Sequence, residues 1–213
     1  PEGKSWGEGG GEFDRLAGLL NAAISGVRAD EKDPSKIKIM LHLAEGTKND
    51  TFRWWFDEIN QRNVPYDVIG LSFYTYWNGP ISALQTNMDD ISKRYNKDVI
   101  VVEVAYGYST QNCDAAENSF NEKEAKDGGY PGTVQGQADF LSDMIKSLVA
   151  VPENRGKGLF YWEPTWIPVN GAGWATPAGM TYINDHWKEG NARENQALFS
   201  CDGQVLPSIK VFN

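Results

Sequence analysis

The 213-residue chain is poor in several features that usually announce a function. It holds two cysteines, Cys113 and Cys201. That is too few for a disulfide framework or a zinc cluster, and leaves either one bridge or two free thiols. No apolar run is long enough to span a bilayer, so membrane insertion is not expected. No strand-like run is followed by a Gly-x-Gly-x-x-Gly or Walker loop, which weakens a nucleotide-binding reading. Positive charge is short as well: 20 Lys and Arg stand against 29 Asp and Glu, a net charge of −9. That balance argues against nucleic acid or an anionic membrane as partner, and a neutral ligand fits better. The chain opens on Pro1, Glu2, Gly3 and Lys4 with no initiator Met and no signal peptide. It reads as a mature product or a piece of a longer chain.

Aromatic residues, by contrast, are plentiful, with eight Trp and nine Tyr. Such rings fill cores, and they also offer flat apolar faces with a polar edge on which sugars stack. The pattern of apolar residues then orders the chain. Phe13, Leu16, Leu19, Leu20, Ala23, Ile24 and Val27 recur at helical spacing, predicting a helix over 12–28 that ends near a turn-rich 30–35. Strands are predicted over 36–43, 66–74, 99–106 and 158–167. Helices are predicted over 51–62, capped by Asn49, Asp50 or Thr51, and over 81–95 and 133–151. The polar stretch 107–132 is too long for a plain connection and should be functional or independently ordered. An apolar tail gathers around Pro207.

A helix followed by alternating strands and helices demands a parallel sheet with covering helices. One domain is expected at this length. Four strands are half of an eight-stranded barrel, half a barrel would leave two apolar edges open, and the first helix has no strand before it. The predicted fold is α/β: the C-terminal half, strands five to eight, of a (β/α)8 TIM barrel whose N-terminal half is absent from the 213 residues.

The strand over 99–106 carries one carboxylate, Glu103, near its far end. A bare carboxylate there needs a partner or a task, and chemistry in parallel α/β folds collects at C-terminal strand ends. Glu103 is therefore the leading catalytic candidate. If Trp162 faces the barrel mouth, alternation turns Glu163 away, toward a structural role. Glu45 and Asp67 read as loop or capping residues.

The segments 38–43 (Lys-Ile-Met-Leu-His-Leu), 66–77, 98–106, 132–137 (Gly-Thr-Val-Gln-Gly-Gln), 160–167 (Phe-Tyr-Trp-Glu-Pro-Thr-Trp-Ile) and 195–199 (Asn-Gln-Ala-Leu-Phe) together resemble the endo-β-1,4-galactanase (arabinogalactan endo-β-1,4-galactosidase) family of retaining glycoside hydrolases. The resemblance implies cleavage of β-1,4-galactan by a secreted or cell-surface monomer that needs no cofactor. It implies Glu103 as the nucleophile ending the seventh strand, with the acid/base Glu upstream of Pro1. A retaining glycosidase needs two carboxyl groups about 5–5.5 Å apart, so the isolated 213 residues are not expected to cleave galactan.

The same resemblance implies sugar-site roles for His42 and Tyr74, with Tyr74 holding and aiming the nucleophile. Trp77 and Trp162, at strand exits, are the leading sugar-stacking candidates, and Trp166 and Trp174, from a Gly-rich loop, are secondary ones. The sequence departs from the family pattern at Thr75 and Asn78. Residues 112–118 resemble the calcium loop of bacterial members, implying Asn112, Asp114 and Asn118 as oxygen ligands of a structural calcium. Cys113 in that loop leaves a bridge to Cys201 as the alternative fastening. The rival functions are a non-catalytic carbohydrate-binding barrel, and a mannanase or xylanase of the same barrel clan.

Overall fold

The computed structural model describes residues 12–29, 32–33, 36–184 and 189–213. Residues 1–4 and most of the turn predicted at 30–35 lie outside the described residues.

The elements follow the alternation: α1 (Glu12–Arg28), β1 (Met40–Leu43), α2 (Asn49–Gln61), β2 (Val68–Phe73), α3 (Thr75–Asn78), α4 (Ile81–Tyr95), β3 (Asp98–Val104), α5 (Glu122–Gly128), α6 (Val134–Ala150), β4 (Gly156–Tyr161) and α7 (Pro177–Tyr182). The four strands are parallel and neighbours in chain order, β1-β2-β3-β4. Successive parallel neighbours joined through helices are the repeating unit of a (β/α)8 barrel, and the chain forms part of one.

The core lies between the sheet and α2, α4 and α6. Phe52, Phe56 and Ile59 of α2, Leu84, Met88 and Ile91 of α4, and Phe140, Leu141 and Met144 of α6 are buried. They meet Ile69, Leu71 and Phe73 of β2 and Val99, Val101 and Val104 of β3. Each such side chain contributes roughly 1.5–3 kcal/mol of burial. The opposite face of the sheet carries half-buried side chains, among them Ile100, Val102 and Glu103. On that face Gly70 is required. A Cβ there would lie 2.8 Å from Met40 Sδ and 3.2 Å from His42 Cβ, so only glycine lets the β1 side chains lie across β2.

Several sequence expectations are corrected. α1 buries Phe13, Ala17 and Ile24, but Leu19 and Val27 are exposed. Among the described elements α1 packs mainly on α2, which covers only a narrow arc of it. α2 begins two residues early, and none of Asn49, Asp50 or Thr51 caps it. Lys48 holds the N-cap position without a side-chain bond. Asn49 instead donates to Asn87 Oδ1 and Asp90 Oδ2 of α4, a tertiary demand that outranks local capping. The first strand is shorter than 36–43. Its entry is fixed by Asp67, whose Oδ2 accepts from Ile39 N at 2.8 Å and pairs with Arg28 at 3.1 Å. The stretch 107–132 is ordered in part by α5, whose Asn121 cap accepts from Lys123 N. The last strand stops at Tyr161, because Glu163 takes a left-handed backbone (φ 50°) and Pro164 has no amide to donate.

Candidate active site

The C-terminal ends of the strands open into a cleft of about 470 Å³ lined by His42, Tyr74, Trp77, Glu103, Trp162 and Arg193, with Ala44, Glu45, Ser72 and Asn78. Glu103 arrives there through an irregularity in β3. Leu71 pairs with Val101, yet the next residue, Ser72, pairs with Glu103. Val102 is thus the extra residue of a bulge. Strict alternation from the outward Val101 would send Val102 inward and Glu103 out. The bulge re-aims Glu103 to the inner face.

Two neighbouring strands supply its surroundings. Tyr74, directly after β2, donates its hydroxyl to Glu103 Oε2 at 3.2 Å. Burial drives that phenol far above its ordinary pKa, opposed by the charge of Arg193 and reinforced by Glu103, so it remains a donor at any working pH. His42 Nε2 lies 2.7 Å from Ser72 Oγ. Tyr74 is also the N-cap of the short helix α3, which Asn78 closes by accepting from Tyr74 N at 2.8 Å. That turn presents Trp77, 52% exposed. Across the cleft Trp162 is 37% exposed, and its amide continues the ladder to Val104 O at 2.9 Å. Two indoles thus flank the carboxylate.

The structure therefore gathers Glu103, His42, Tyr74, Trp77 and Trp162 in one cleft. It does not bring Trp166 there, nor Trp174. After Glu163 the chain turns off the strand. Trp166 bonds back to Glu163 O and accepts from Asn191 Nδ2 at 2.7 Å, so its backbone fastens the loop. Glu163 does not line the cleft either, yet it is electrostatically part of it. Burial raises its carboxyl above the usual range, Arg193 opposes that rise and Glu103 adds to it.

The far wall is a bracket between the loop after β3 and the C-terminal loop. Cys113 and Cys201 form a disulfide with Cα atoms 6.3 Å apart. Asp114 Oδ2 accepts from Asn191 N at 2.7 Å and its Oδ1 from Ala116 N. Glu194, 0% exposed, accepts at Oε1 from Cys113 N at 3.0 Å and Asn118 Nδ2 at 2.8 Å. Burial raises its carboxyl, too. Asn195 Nδ2 reaches Ser109 O and Phe120 O. Behind the bracket, buried Gln137 joins α6 to the ends of β3 and β4 and to the tail, donating to Tyr106 O, Tyr161 Oη and Ala197 O and accepting from Ser208.

The calcium candidates Asn112, Asp114 and Asn118 all lie in this bracket. The Asp114 oxygens and the amide nitrogens of Asn112 and Asn118 are bonded within it. Asn112 Nδ2 donates to Ala116 O at 2.7 Å, so that carbonyl is also taken. In the bracket, the buried side-chain oxygens without a partner among the described residues are Asn118 Oδ1, Glu194 Oε2 and Asn195 Oδ1. Calcium takes six to eight oxygens; of the oxygens this loop offers, the Asp114 carboxylate and the Ala116 carbonyl already accept hydrogen bonds within the bracket, and the Asn118 amide oxygen does not.

Sequence reasoning missed Arg193, Glu194 and Ser72. Ser72 was visible on its strand opposite Glu103 only once the bulge is known. Arg193 and Glu194 sit in an aperiodic polar stretch that carries no local signal.

Comparison with known proteins gives one consistent result. The family model described as Glycosyl hydrolase family 53 matches residues 2–212. The chain is 35% identical over 200 residues to a Niallia circulans protein described as an uncharacterized protein in the bgaB 5' region, covering 93% of this chain and 50% of that one. It is 31% identical to an endo-beta-1,4-galactanase of Bacillus subtilis, covering 94% and 50%. Among solved structures, the Ignisphaera aggregans GH53 catalytic domain superposes with a TM-score of 0.86 at 38% identity, covering 98% of this chain and 54% of that one. The chain spans about half the length of the curated relatives it matches.

Proposed function

The chain belongs to glycosyl hydrolase family 53, and from that premise we propose that its cleft is the nucleophile side of a retaining endo-β-1,4-galactanase site. The observation that carries the reading is Glu103 on the inner face at the end of β3, bonded by Tyr74 and flanked by two exposed indoles. Glu103 attacks the anomeric carbon of a galactosyl unit, forming a glycosyl ester as the glycosidic C–O bond breaks. A carboxylic acid on the other side protonates the departing oxygen. The same group then takes a proton from water, which attacks the anomeric carbon and releases Glu103. That acid/base group is assigned to a part of the barrel outside these 213 residues, because the chain covers about half of its relatives. The isolated 213 residues would then bind galactan without cleaving it.

Trp77 and Trp162 supply stacking faces for successive sugars. A net charge of −9 suits a neutral galactan better than an acidic polymer. A secreted or surface location is part of the proposal, and the Cys113–Cys201 bridge favours an oxidising compartment.

The test is turnover by the full natural chain on β-1,4-galactan, mannan and xylan, with product anomers followed by NMR. Retention on galactan and a loss of at least about 10⁴-fold in Glu103→Gln are expected. Glu103→Gln activity within tenfold of wild type would remove Glu103 from the chemistry. Galactan binding without turnover by the full chain would make the protein a carbohydrate binder instead.

A further inference from the structure

The cleft contains one cationic side chain that the proposed chemistry does not use. Arg193 is the only Lys or Arg among the lining residues. Its guanidinium carbon lies 5.3 Å from the Tyr74 ring centroid and 5.2 Å from that of Trp77. Its Nη1 is buried with no hydrogen-bond partner among the described residues. A stacked guanidinium with one enclosed nitrogen favours nearby negative charge. Two sources of that charge are conceivable, an acidic sugar or the protein itself. The surroundings decide between them: Glu45 and Glu103 line the cleft and Glu163 lies behind it, so an anionic ligand would be repelled. Among these carboxyls, Glu163 is the one whose protonation Arg193 opposes.

The backbone that delivers this cation is held on both sides. Arg193 N donates to Asn191 Oδ1 at 2.8 Å and its carbonyl accepts from Gln196 N at 2.9 Å. Next to it, Ala192 O accepts from Ser119 N and Ser119 Oγ, and Glu194 holds the Cys113 amide. Gln196 in turn accepts from Tyr76 Oη. The loop is thus fastened within two residues of Arg193 in each direction, which is the rigidity a charge needs to act at a fixed distance.

We propose that Arg193 is a positioning residue of this site: it clamps Tyr74 and Trp77 between the C-terminal loop and α3, fixing the sugar platform, and supplies the one positive charge among the residues that line the cleft with Glu103. The inference deepens the galactanase reading and rests on it. Loss of the charge removes the cation that opposes protonation of Glu163, so that carboxyl protonates more easily. Loss of the stack frees Trp77 to leave its platform.

The experiment compares Arg193→Gln and Arg193→Lys in the full natural chain. Arg193→Gln should lower kcat/KM on galactan roughly tenfold or more and move the acid limb of its pH profile to higher pH. Arg193→Lys should restore that limb, since the charge returns, but keep a raised KM, since the planar stack does not. Tryptophan fluorescence titrated with galactotetraose reads the platform without turnover and should show weaker binding in both variants. An unmoved acid limb in Arg193→Gln, or one moved equally in Arg193→Lys, would overturn the inference and reduce Arg193 to a structural role. A wild-type chain inactive on galactan would fail the galactanase reading. In that case unchanged galactotetraose binding in both variants would overturn the inference too.

Discussion

The two walls of the cleft are held in different ways. Glu103, Tyr74 and His42 stand on or beside strands, and the hydrogen-bond ladder of the sheet sets their spacing. Arg193 stands on a loop whose position depends on one disulfide and a few side-chain oxygens of Asp114, Glu194 and Asn191. Displacing a strand residue breaks a continuous ladder, whereas a loop residue follows wherever its few fasteners go. The strand wall therefore suits a reacting carboxylate, which tolerates little error in placement. The loop wall suits a charge that packs against the strand wall's rings.

The sharpest way to break this contrast is to cut the covalent fastener. Cys113→Ser with Cys201→Ser should cost roughly 2–4 kcal/mol of stability, read by denaturant titration. If the walls are independent, sugar binding should weaken as Arg193 loosens, while the Glu103–Tyr74 pair stays in place. Equal disorder of both walls, seen as loss of the Tyr74 hydroxyl contact in a crystal structure of the double variant, would erase the distinction.

The strand wall is probed by Tyr74→Phe. Removing a hydrogen bond to a charged group is worth about 1.5–3 kcal/mol. The full natural chain should lose roughly ten- to hundred-fold in kcat, while the thermal midpoint falls little. A change confined to stability, with kcat intact, would show that the bond is structural.

The smallest effect concerns Glu194. Its carboxyl is buried, its Oε2 has no partner among the described residues, and burial raises it above the ordinary 4.5. A folded-state value above the unfolded one means that the unfolded chain releases the proton first. The stability contribution is whole below pH 4.5 and is lost as pH rises through the folded value. Glu194→Gln keeps the acceptor for Cys113 N and Asn118 Nδ2 and removes the charge. The variant should match or exceed wild type at pH 7 by up to about 1 kcal/mol, and its stability should fall less between pH 4 and 7. A steeper fall in the variant would mean that the charge is needed where it is.

Much of the scaffold was legible before any coordinates. The helix over 81–95 falls on α4 residue for residue, and the Glu12–Arg28 helix likewise. Both are long, strongly periodic segments. Strand ends were less legible: the first strand begins at Met40 rather than 36, and the last stops at Tyr161 rather than 167. Strand limits depend on a partner's ladder, and here on Asp67 and on the left-handed turn at Glu163. The α2 cap was misread because Asn49 answers α4 instead of its own helix. Of the cleft lining, the strand-borne Glu103, His42 and Tyr74 and the two exposed indoles Trp77 and Trp162 could be named from sequence. Trp166 was drawn in by its motif and left out by the turn that precedes it.

The sequence by itself determined the repeating strand–helix order, the parallel sheet it demands, and which strand carries an acidic group near its end. Periodicity and motif are local properties, and they survive without knowledge of neighbours. Tertiary structure alone decided that Glu103 faces the cleft, because the bulge at Val102 exists only against β2. It alone joined Cys113 to Cys201 and brought Arg193 onto Tyr74 and Trp77. Those residues lie 88 and more than 100 positions apart, and no local pattern encodes a contact at that distance.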